Sequence, residues 1–169
     1  VTGIIVSRIV GPTILGYLAY GLSFVSMFAV VNDLGMGTAH IKLISQGEDE
    51  GNCNSTYLRI RMILLGVFVS LLLGTYAYQK LFIPTAFESQ AQETVVLIYM
   101  VIVTLSQLIT IPTTTWAGKM QQAKQDLPSI LQTVLYQILR LILAVLGFKA
   151  VALATSNLVA VVVTLPIYA

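Results

Sequence analysis

No charged residue interrupts the 24 positions from Ile9 to Asn32, and none interrupts the 18 from Met62 to Gln79. At about 1.5 Å of rise per residue, helices of these lengths match a bilayer core roughly 30 Å thick. Between them, from Asp33 to Arg61, lies polar and charged sequence that opens on Asp33-Leu34-Gly35-Met36-Gly37. That pattern reads as two transmembrane helices joined by a water-facing turn. Composition leaves no other solvent for the surface: 57% of the residues are hydrophobic and only 9% are charged, against roughly 25% charged in a soluble domain. The net charge is +2 with basic residues scattered among short polar gaps, which excludes a nucleic-acid-binding surface. A single cysteine, Cys53, excludes an internal disulfide.

The same alternation runs along the whole chain. Val1 to Ser7 reads as the tail of a first helix, with Arg8 and Gly11-Pro12 as its exit turn. A second helix is predicted over 13–35, with Gly11, Gly16 and Gly21 spaced for close approach of a neighbour. A polar loop is predicted over 38–55 and a third helix over 56–79, with Tyr76 and Tyr78 at its interfacial end. A loop holding Pro84 leads to a fourth helix over 93–116, in which Pro112 frees a backbone carbonyl beside Thr113, Thr114 and Thr115. A polar third loop over 117–126 precedes a fifth helix over 127–148. A sixth over 150–169 is joined to it through Gly147-Phe148-Lys149 as an antiparallel hairpin. The expectation is an all-α polytopic transmembrane helix bundle of about five full spans plus the tail of a first helix, forming one transmembrane domain over 1–169. Because the chain opens and closes inside apolar segments, it is expected to be a piece of a longer membrane protein.

Loop charges give an orientation. The second-to-third and fourth-to-fifth connections carry Lys42, Arg59, Arg61, Lys119 and Lys124, which is five basic residues, against Arg8, Lys80 and Lys149 on the other side, which is three. The positive-inside rule puts the five in the cytoplasm. Asn54-Ser55-Thr56 is a formal glycosylation sequon on that side, so its modification would invert the assignment.

The residues able to carry chemistry are few. Arg140 is the one charge within the fifth span, with 13 uncharged residues before it from Leu127 and eight after it to Phe148. In lipid it costs at least about 2.5 kcal/mol, so it faces protein, water or an anionic ligand; it is either a structural arginine or a cavity residue contacting substrate. Asp33 is either a helix-end residue in interfacial water or a partner for a cation, a side chain or a coupling ion, inside the bundle. Lys42, Arg59 and Arg61 flank one cytoplasmic turn and either set topology or meet the phosphate of a lipid or lipid-linked substrate. Arg8, at the opposite mouth, presents the same choice. His40 is the only histidine and has no second ligand at metal-binding spacing. Glu48-Asp49-Glu50 reads as a solvated acidic turn, and Cys53 has no neighbouring base to activate it.

Together these residues carry a resemblance. Arg8-Ile9-Val10-Gly11-Pro12, Gly16-Tyr17, the run from Asp33 to Lys42 and the following Ile44-Ser45 resemble the start of polysaccharide and O-antigen flippases of the multidrug, oligosaccharidyl-lipid and polysaccharide exporter superfamily. The run Ala39 to Arg61, with its acidic turn and Thr56-Tyr57-Leu58, is similar to prokaryotic, including archaeal, members. The resemblance implies a transporter rather than an enzyme, of 12 to 14 helices in two six-helix lobes, with this chain in the first. It implies alternating access around a cationic cavity in the plasma membrane, a polyprenyl- or dolichyl-linked oligosaccharide as substrate, and no cofactor beyond a proton or sodium gradient. Arg140 would line the cavity and Arg8 its outer mouth. The rivals are a drug or metabolite exporter of the same superfamily, which would bind a cation, and a membrane-embedded polysaccharide polymerase or glycosyltransferase, which would need a catalytic carboxylate or metal site in a large loop.

Overall fold

The computed structural model describes residues 2–83 and 86–168; Pro84, part of the second polar loop, lies outside them. Among the described residues all regular structure is helical: α1 Thr2–Val10, α2 Pro12–Ser26, α3 Ala29–Asp33, α4 Met36–Ser45, α5 Glu50–Phe82, α6 Gln90–Gly118, α7 Gln122–Val145, α8 Ala150–Thr164 and a 3-10 turn Leu165–Tyr168. Four of these are long and apolar enough to cross a membrane, over Glu50–Phe82, Gln90–Gly118, Gln122–Val145 and Ala150–Tyr168.

α6 is the centre of the bundle, packing on α2, α4, α5, α7 and α8. Its buried Val95, Val96, Tyr99, Met100 and Ile102 meet Phe24 and Val25 of α2, Phe68 and Leu72 of α5, and Leu153, Ala154 and Val161 of α8 in one core. Gly21 makes the α2–α6 contact possible: a Cβ there would lie 2.8 Å from the Tyr99 ring. Gly16, by contrast, meets nothing within 4 Å, so of the spaced glycines in the second helix only Gly21 is used for close packing. α5, α7 and α8 turn wide apolar faces outward, including Ile63, Leu73, Leu127, Val145 and Val163, as lipid contact requires.

The structure corrects the predicted second helix and first loop. The helix predicted over 13–35 is split. Phe28 N bonds to Val25 O and Val31 N to Phe28 O in tightened turns, and the Ser26 hydroxyl donates to Leu22 O, a combination that bends a helix. The chain then turns through Leu34 and Gly35, at φ 43 and 79, in the left-handed region that glycine tolerates at no steric cost. Most of the loop predicted over 38–55 is helical. α4 begins at Met36 because the Asp33 carboxylate accepts from Gly37 N at 3.1 Å, satisfying a donor of its first turn. The acidic run Glu48-Asp49-Glu50 is a helix start: Asp49 accepts from Asn52 N at 3.0 Å, and Glu50 pairs with Lys119 at 2.6 Å.

That pair joins the first turn of α5 to the end of α6, so the two more basic turns lie at the same end of the bundle. At the opposite end Glu93 of α6 bonds Lys80 and Tyr76 of α5. α4 reaches α6 where Gly118 leaves room for it. A Cβ at Gly118 would lie 2.8 Å from Ile44 Cβ and 3.2 Å from Ile41 O. Gly118→Ala is therefore expected to destabilise the protein by about 1–3 kcal/mol through overpacking, measurable as a lowered unfolding midpoint in detergent; an unchanged midpoint would mean that α4 is free to move off α6.

α6 runs unbroken through Pro112. The hydroxyls of Thr113, Thr114 and Thr115 donate to the carbonyls of Ile109, Thr110 and Ile111, holding the turn around the proline with side-chain bonds.

Candidate functional site

Two polar clusters lie at the end of the bundle that carries α4. In the first, Arg61 is buried inside α5, and its guanidinium donates to Asp33 Oδ1 at 3.1 Å and to Gln107 Oε1 of α6 at 2.6 Å. One side chain thus ties α3, α5 and α6. Asp33 is the hinge of the arrangement, because the same oxygen accepts from Arg61 and from Gly37 N. In the second, His40 of α4 is buried, stacks on Tyr57 of α5 at 4.3 Å between ring centroids, and shares a 3.1 Å hydrogen bond with the Thr115 hydroxyl of α6. That hydroxyl lies 3.0 Å from Asn54 Oδ1. The Asn54 carboxamide oxygen is thus engaged between α5 and α6.

Burial pushes the His40 imidazole below its ordinary 6.5, with the Asn54 side chain acting in the opposite direction. A group whose folded pKa lies below its unfolded value leaves stability intact above about 6.5, and stability falls as pH drops and the unfolded chain alone takes up the proton. The unfolding midpoint is expected to fall below pH 6.5 in the natural protein and to fall less in His40→Gln. Equal slopes in the two proteins would remove His40 from the account.

Arg140 stands apart from both clusters. α7 starts earlier and ends sooner than the predicted 127–148, so five residues follow Arg140 before the helix stops at Val145. The charge therefore sits in the outer third of the span, opposite the end that carries α4. Its guanidinium lies over the Tyr136 ring at 5.7 Å, within cation–π range. Its Nε is buried without a hydrogen-bond partner. Among the described residues no carboxylate forms an ion pair with it.

α7 carries more than this one cation. Gln125, Ser129, Gln132, Thr133, Tyr136, Gln137 and Arg140 recur at helical spacing and occupy an arc of about 140°. The opposite face, Leu127, Leu131, Val134, Ile138, Ile142 and Val145, is exposed and wholly apolar. Gln137 Oε1 is a second buried atom without a partner. A family model described as polysaccharide biosynthesis protein matches the chain over residues 1–169. The chain belongs to this family. No curated protein and no solved structure matches it.

This polysaccharide biosynthesis protein, a multi-pass membrane protein by its four long apolar helices, does not gather the six residues singled out from sequence into one site. Asp33 and Arg61 are brought together. Lys42 is exposed on α4 and Arg59 on α5, while Arg8 is exposed in the last turn of α1 at the other end. Gln107 and the glutamines within the fifth span give no sequence signal of their own because uncharged side chains do not interrupt an apolar run, and the contacts of Thr115 with His40 and Asn54 join residues far apart in the chain. The period of the α7 residues was the one signal that could have revealed those glutamines.

Proposed function

We propose that this chain forms a lobe of a flippase that moves lipid-linked oligosaccharides across the plasma membrane of a prokaryotic cell by alternating access, as a transporter and not an enzyme. The observation that supports it best is Arg140: a half-buried cation within a membrane span, paired with no carboxylate among the described residues and with its buried Nε unpartnered, suits the pyrophosphate or acidic sugar of such a substrate. Arg8 stands at the outer mouth, and Lys42 and Arg59 at the inner one, where headgroup phosphates gather. Asp33 and Arg61 hold the inner helix ends in register, and a proton or sodium gradient drives the cycle. An exporter of organic cations would be served by an unpaired acid inside the spans. The acidic groups nearest that description, Asp33 and Glu93, each already face a cation. The reading is tested by following a lipid-linked oligosaccharide across vesicles containing the complete protein, with Arg140→Gln as the comparison.

A further inference from the structure

The polar face of α7 extends well beyond the cation that an anion requires. From Gln125 to Arg140 it covers about 22 Å of helix, most of a bilayer core, and the chain covers it only in part. Ser129 and Thr133 are exposed; Gln125, Gln132, Tyr136, Gln137 and Arg140 are half-buried. Seven polar side chains confined to one arc of a span demand either water or hydrogen-bonding partners, because each unsatisfied group in hydrocarbon is costly. The chain's own bonds do not exhaust them. Ser129 and Thr133 donate to Asp126 O and Ser129 O of their own helix, which leaves their oxygens as acceptors. Gln137 Oε1 is buried and unpaired, as is Arg140 Nε. Between Asp126 in its first turns and Arg140 near its far end the face carries no charge. Amides and hydroxyls in series offer both donors and acceptors with no net charge, which is what a neutral, hydroxyl-rich chain needs and an organic cation or an acyl tail does not.

We infer that the α7 face formed by Gln125, Gln132, Thr133, Tyr136 and Gln137 is the track along which the sugar hydroxyls of the substrate are held, separate from the phosphate-binding end at Arg140. This rests on the flippase reading. The residues set how much glycan is handled, while Arg140 sets whether a lipid-linked anion is handled at all.

The test uses the complete protein in vesicles and two substrates with the same lipid and pyrophosphate, one carrying a single sugar and one a full oligosaccharide. Gln132→Leu and Gln137→Leu are each expected to slow the oligosaccharide about 2- to 10-fold, the worth of one hydrogen bond, and to leave the single-sugar lipid unchanged. Arg140→Gln slows both. Equal slowing of both substrates by the glutamine variants, or slowing of neither while Arg140→Gln still acts, overturns the track and leaves the flippase reading standing. If the natural protein moves neither substrate, that reading fails and the track falls with it. Folding is checked independently in a Cys53→Ser background. Gln132→Cys is expected to react with a water-soluble, membrane-impermeant thiol reagent and to be protected by the oligosaccharide-lipid. A position 132 that never reacts, in a protein that still transports, means that the face is sealed by protein or lipid and also overturns the inference.

Discussion

Asp33→Ala is expected to lower the stability of the folded protein by about 3 kcal/mol, the lower end of the range for stripping one partner from a buried ion pair. The lower end applies because the pair is asymmetric: the Arg61 side chain is 5% exposed, whereas that of Asp33 is 49% exposed. Removing the carboxylate leaves a buried guanidinium with Gln107 but without its counter-charge, and it also strips the acceptor from Gly37 N at the start of α4. Asp33→Asn keeps an oxygen for Gly37 N and should lose less. Arg61→Met takes the charge out together with its desolvation cost. The double variant Asp33→Ala/Arg61→Met should therefore lose less than the sum of the single changes, by about 1–3 kcal/mol. Unfolding midpoints in detergent across this cycle measure the coupling, and strict additivity would show that the two side chains do not hold α3 to α5.

Arg140→Gln is expected to cut transport of a lipid-linked oligosaccharide by about 10- to 100-fold, the worth of a hydrogen bond to a charged partner, while shifting stability by no more than about 1 kcal/mol. The asymmetry with Asp33 is the point. Arg61 is satisfied by its own chain, so its loss is felt in folding. Arg140 has a stacked tyrosine and a free Nε, so its loss is felt when a ligand arrives. Arg140→Lys keeps the charge but not the planar fork that grips phosphate in two places, and should recover only part of the rate. Loss of stability without loss of transport would make Arg140 a structural residue.

The span through Met62–Gln79 was legible because charge is expensive in hydrocarbon and that run has none, whereas the equally uncharged Ile9–Asn32 is broken between α2 and α3 and is not among the four helices long and apolar enough to cross. Helix ends were less legible. Helices α5 and α7 continue into polar sequence at Glu50 and Gln122, where hydropathy falls but backbone hydrogen bonding continues. α4 was hidden for the same reason, as a polar stretch made helical by the cap from Asp33 and by its seat on α6 beside Gly118. The Asp33–Arg61 pair joins residues 28 apart, a separation that no local periodicity reports. The sequence offers Asp33 as a partner for a cation, but only the packing of α3 against α5 shows that the cation is Arg61. On α7 the glutamines carry no charge, so Arg140 alone stands out within the fifth span while the face on which it lies leaves the hydropathy of the run unbroken.

The most direct measurement is transbilayer movement of a pyrophosphate-linked oligosaccharide lipid in sealed vesicles, scored by how much of its glycan becomes accessible to an enzyme added on the far side. Vesicles containing the complete natural protein should expose the glycan in a time-dependent manner, and vesicles containing Arg140→Gln should do so 10- to 100-fold more slowly. Equal exposure in vesicles with the natural protein and in empty vesicles would contradict the account.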